Sequence, residues 1–139
     1  MKDKRAKYML AGAIVLAFFA AILNVHCLLA FGVAVSHVTG SISLIAAKGD
    51  RAASLLHLTY ISIFGFFIGA MFSGIFLHSN TFAFKRPYGV VVTLIGIILL
   101  IANYYESINV GITLFLVAFS CGAQNAMSTF YRGLIIRTT

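Results

Sequence analysis

The sequence predicts an all-α, polytopic membrane helix bundle with about four spans and a broken or re-entrant segment between the first two. Three observations carry that prediction. Hydrophobic residues make up 61% of the 139 residues and charged residues 9%, where soluble domains average about 45–50% and about 25%. The mean hydropathy is +1.02, and a small soluble domain leaves too much surface in water to hide that apolar content. The three acids, Asp3, Asp50 and Glu106, stand outside the longest apolar runs. These counts exclude a disordered chain, a nucleic-acid-binding domain and a disulfide-stapled secreted fold.

A hydrocarbon core of about 30 Å takes roughly 20 residues of helix. The first run, residues 8–29, follows Lys2, Lys4, Arg5 and Lys7. It is too long for a signal-peptide core and lacks a small-x-small cleavage site, so it reads as a retained span. Residues 30–47, AFGVAVSHVTGSISLIAA, are apolar but interrupted by Ser36, His37, Thr39, Gly40, Ser41 and Ser43. Residues 55–77 form the second span. Residues 88–103, extendable through Tyr104 and Tyr105, form the third, and residues 110–131 the fourth.

Orientation follows from the basic residues of the short loops. With the N-terminus in the cytoplasm, four spans place Lys85, Arg86, Arg132 and Arg137 inside as well. Only Lys48 and Arg51 then fall outside. The +7 net charge is therefore a topology signal, and no nucleic-acid partner is expected. A full crossing by residues 30–47 would move the later basic residues outside. The segment is thus expected to enter and leave on one face, as a site-lining dip or as a surface helix or membrane-edge loop. Tyr8, Tyr88, Tyr104, Tyr105 and Tyr131 fall near span ends, as interfacial anchors do.

Small residues recur at four-residue spacing: Ala13, Ala17 and Ala21 on the first span, and Gly65, Gly69 and Ser73 on the second. Such stripes let helix backbones approach closely. They predict packing within the chain, with a homodimer through the Gly65 face as the lesser reading. Polar groups at membrane depth need partners. Asn24, His26 and Cys27, the Ser36–Gly40 stretch, His57 with Thr59 and Tyr60, Gln124 with Asn125 (and Ser128 and Thr129 one turn on), and Arg137 with Thr138 and Thr139 are the ones to place. Adjacent amides in a helix point about 100° apart and bring both donors and acceptors, so Gln124 and Asn125 need neighbouring helices, water or a ligand. Cys27 and Cys121 read as small packing residues. His26, Cys27 and His37 lack HxxxH or CxxC spacing, so neither metal nor cofactor is expected.

The stretches AILNVHCLLAFGVAVSHVTGSISLIAAKGD (residues 21–50) and CGAQNAMSTFYRGLIIRTT (residues 121–139) resemble the YoaK family of uncharacterised bacterial multi-pass membrane proteins. The resemblance extends over essentially the whole chain. It implies residence in the bacterial cytoplasmic (inner) membrane and a 3+3 inverted repeat. Residues 1–105 would form the first unit and 106–139 the start of a second, incomplete one, so the chain reads as a C-terminally shortened member. Members commonly carry Asp where this chain has Asn24, and Asn where it has Ser41.

The function expected is that of a transporter- or permease-like protein for a small solute. Asn24, Ser36, His37, Thr39, Gly40, Gln124, Asn125 and Thr138 would lie at its site or its helix breaks. No Ser/His/Asp, paired-acid or HExxH arrangement supports an enzyme. The alternative is a non-catalytic membrane scaffold or assembly partner, or an inactive fragment. The expected partners are the lipid bilayer and an unknown small solute.

Overall fold

Five helices make up the described part of the chain: α1 (Lys2–Phe31), α2 (Val38–Lys48), α3 (Ala53–His78), α4 (Pro87–Tyr105) and α5 (Val110–Phe130). They are seen in a computed structural model that describes residues 2–48, 53–78 and 87–130. Thr138 lies outside the described residues, as do Asp50, Arg51, Lys85, Arg86, Tyr131, Arg132 and Arg137. Among the described residues, four stretches are long and apolar enough to cross a membrane: Ala11–Phe31, Leu55–Leu77, Tyr88–Tyr105 and Val110–Met127. The described residues contain no strand. The architecture is the all-α polytopic bundle read from the sequence, with the third span continuing through Tyr105.

Local chemistry sets the helix ends. Gly32 adopts a φ of 72° and donates its N–H to the Leu28 carbonyl, which closes α1. Only glycine takes this left-handed cap without strain. α2 starts where the Ser41 N–H meets the His37 carbonyl. Pro87 opens α4, where a missing N–H costs nothing. Asn109 caps α5: its Oδ1 accepts the Ile112 N–H at 3.1 Å.

The burial pattern is inverted relative to a soluble domain. Asn24, Ser41, Thr59, Ser62, Ser73, Thr113, Ser120 and Gln124 are buried, while Phe18, Phe19, Leu29, Phe64, Phe67 and Leu100 are exposed. Lipid solvates the apolar outside, and polar side chains turn inward to find partners. Thr59, Thr93 and Ser120 donate to the carbonyl four residues back, at 2.9 Å each. Ser73 Oγ is the described exception, buried without a partner.

α5 is the central helix. Of its most apolar stretch, 56% of residues are buried, against 11% for α1. It lies parallel to α3, with Gly65 against Phe115, Gly69 against Phe119 and Gly122 against Phe66. A Cβ built on Gly65 would stand 2.7 Å from the Phe115 carbonyl oxygen. The small-residue stripe of the second span is thus filled by α5, and a second copy could use it only by displacing that helix. α4 runs antiparallel to α5: Thr113 Oγ1 donates to the Ala102 carbonyl at 3.4 Å, and Val91 and Ile95 pack with Ala123 and Met127. α1 is also antiparallel to α5, with Gln124 reaching Leu16 and Cys27 packed in one cluster with Leu114 and Val117. The stripe of the first span is less closed: Ala13 and Ala17 are half-buried and Ala21 is exposed.

Candidate functional site

The site is built by the turn-back after α1. Gly32 sits beside Leu55, at one end of the α3 span. Two residues later, the Ala34 carbonyl accepts the hydroxyls of Ser41 at 3.2 Å and Ser62 at 3.5 Å. Ser36 and His37 then reach the level of Phe66, the central residue of Leu55–Leu77. The same cavity wall includes Ala20 and Ala21, at the centre of Ala11–Phe31. The chain therefore descends to mid-depth in non-helical form, and α2 starts there.

Unpaired backbone at this depth would be costly, and Asn24 supplies the missing partner. Its Oδ1 accepts both the Val35 and the Ser36 N–H, each at 3.0 Å. One buried amide oxygen on α1 thus fastens the break onto the helix before it. Ser41 and Ser62 satisfy the carbonyl side of the same turn.

Around the tip lies a cavity of about 80 Å3, lined by Ala17, Ala20, Ala21, Ser36, His37, Phe66, Cys121, Gln124 and Asn125. It joins two polar groups that stand far apart in the sequence, the Ser36–His37 break and the Gln124–Asn125 pair. Gln124 also ties two helices together, its Nε2 donating to the Leu16 carbonyl at 2.6 Å. The amide pair is therefore interhelical glue on one side and cavity wall on the other.

The remaining candidates lie elsewhere. Asn24 is not on the described cavity wall and acts on it through the break. Thr39 and Gly40 are exposed on the first turn of α2. His26, Cys27 and His37 go three separate ways. His26 Nε2 meets Glu106 Oε1 at 2.8 Å, Cys27 enters the α1–α5 core, and His37 enters the cavity. Sequence reasoning missed the His26–Glu106 pair, because eighty residues separate its members. It also read Cys121 as packing alone, whereas this thiol belongs both to the core and to the cavity wall.

Two electrostatic effects meet at the tip. The first turn of α2 presents the equivalent of about half a positive charge, worth about 0.3–2 kcal/mol to a neighbouring anion. Bringing a full charge to such a depth costs several kcal/mol of desolvation.

No curated protein and no solved structure matches the chain. Residues 12–139 match the model of a family described as "Protein of unknown function (DUF1275)", to which YoaK-like proteins belong, and the chain belongs to that family.

Proposed function

We propose that this chain forms a transporter- or permease-like membrane protein for a small solute, not an enzyme. The cavity at mid-depth carries the reading: non-helical backbone at that level occurs where it is covered by protein or lines a polar cavity. Broken helices near the midplane are how secondary transporters build their sites. In this reading Ser36, His37, Gln124 and Asn125 contact the solute, and Asn24 holds the break in place. The N-terminus faces the cytoplasm of a bacterial inner membrane, following the basic loops. Residues 1–105 act as the first unit of a YoaK-like inverted repeat and 106–139 as the start of the second. The scaffold reading gains no comparable support, since the stripe it would use is packed against α5.

The native Cys121 offers a direct test, because its thiol is part of the cavity wall. In a Cys27→Ala background, methyl methanethiosulfonate is expected to modify Cys121, and a bound solute is expected to slow the reaction. A panel of small solutes is screened for this protection and for a rise in melting temperature. The site is wrong if no solute protects, or if Ser36→Ala and Asn125→Ala leave every protecting solute's effect unchanged.

A further inference from the structure

The wall of the cavity also speaks to the class of solute, and this step rests on the transport reading above. The described lining consists of hydroxyl, imidazole, carboxamide, thiol, phenyl and methyl groups. Ser36, Gln124 and Asn125 each bring donors and acceptors together, so they match a solute that does the same. An anion would gain from the first turn of α2, but one helix terminus returns less than the desolvation of a full charge takes away. A cation would meet that same terminus unfavourably. Size narrows the class further: about 80 Å3 holds roughly five to eight water-sized positions at ~10–15 Å3 each. Phe66 and the three alanines from α1 offer flat apolar walls to the rest of such a molecule.

We infer that the cavity takes a small, uncharged, compact solute carrying both hydrogen-bond donors and acceptors, of the size of a simple amide or short polyol. Urea, nitrate and guanidinium make the discriminating set, because they share one planar three-armed shape and nearly one size but differ in charge. The full chain is reconstituted into liposomes, with the membrane potential dissipated by potassium and valinomycin. Entry of each solute is followed as uptake of the isotopically labelled solute, against protein-free vesicles.

The expected result is faster entry of urea, with nitrate and guanidinium at the protein-free rate. Ser36→Ala and Asn125→Leu are each expected to lower the urea rate about fivefold, the loss of one hydrogen bond. Both variants must keep the helical circular dichroism and melting temperature of the parent; Ser36→Ala, which removes one hydroxyl, covers the case in which Asn125→Leu does not fold. Acceleration of nitrate or guanidinium to the level of urea or beyond overturns the solute class and leaves the transport reading standing. Acceleration of urea that neither variant reduces places its path elsewhere and overturns the assignment to this cavity. No acceleration of any of the three, together with no solute protecting Cys121, overturns both readings.

Discussion

Asn24 concentrates several consequences in one side chain. Its Oδ1 is the partner of two backbone N–H groups in the break, of which Val35 is 1% exposed. Asn24→Leu removes the acceptor and strands both donors, which costs about 1–3 kcal/mol for each buried group left unsatisfied. We therefore expect a loss on the order of 2–4 kcal/mol in detergent unfolding, with a parallel loss of Cys121 protection by solute. As the neutral acid, Asn24→Asp keeps an oxygen in the same place without bringing a charge to this depth, and it is expected to retain the fold. That contrast separates the acceptor from mere side-chain volume; equal destabilisation by Leu and Asp would show that the amide matters in some other way. The Asp that the family resemblance implies at this position supplies the same oxygen. The sequence marked Asn24 as a polar residue in need of a partner, but nothing in a one-dimensional pattern could say that the partner would be backbone eleven and twelve residues on.

At the scale of elements, the small-residue stripes behaved differently although they looked alike. Gly65 and Gly69 meet the backbone of α5, whereas Ala17 and Ala21 border the cavity. Spacing alone shows that a helix face is small; it does not show whether that face meets another helix or a void. The distinction is testable. Gly69→Ala would drive its Cβ into the Phe119 carbonyl, and we expect a destabilisation of about 1–3 kcal/mol, the usual range for overpacking. Gly96→Ala has open space around its Cβ and is expected to be neutral or to stabilise by up to about 1 kcal/mol, the helix-propensity gain. Thermal melts of the two single variants in one detergent decide between these outcomes. The His26–Glu106 pair ties α1 to the turn before α5, with side chains 51% and 34% exposed. Pairs so open to solvent contribute about 0–1 kcal/mol. A double-mutant cycle with His26→Gln and Glu106→Gln is expected to return a coupling within that range. A larger coupling would mean that the pair fixes the position of α1 over the cavity.

The whole molecule was legible from the sequence wherever composition and length decide the outcome. Apolar runs of membrane-spanning length gave the four spans, because burying polar backbone in lipid leaves few alternatives to helix. The cavity was legible only as scattered polar residues. Ser36 and Asn125 lie on one wall because α1 and α5 run antiparallel and the chain folds back between them, which is a property of the assembled bundle. The turn-back is also the feature whose geometry bears most on topology. α2 has 11 residues, so at about 1.5 Å per residue it spans about half of a hydrocarbon core of about 30 Å. It begins at mid-depth, beside Phe66, and α3 begins five residues after it ends. A helix of that length starting there can regain the face it came from, with both its ends joined to the outer ends of α1 and α3. We therefore expect Ala47→Cys and Ser107→Cys, each in a background lacking Cys27 and Cys121, to react with a membrane-impermeant maleimide from the same side of the membrane. Lys4→Cys is expected to react from the opposite side only. Labelling of Ala47→Cys and Ser107→Cys from the same side as Lys4→Cys would mean that residues 30–47 cross completely. The cavity would then lie on a continuous spanning segment, and the broken-helix basis of the transport reading would fall with it.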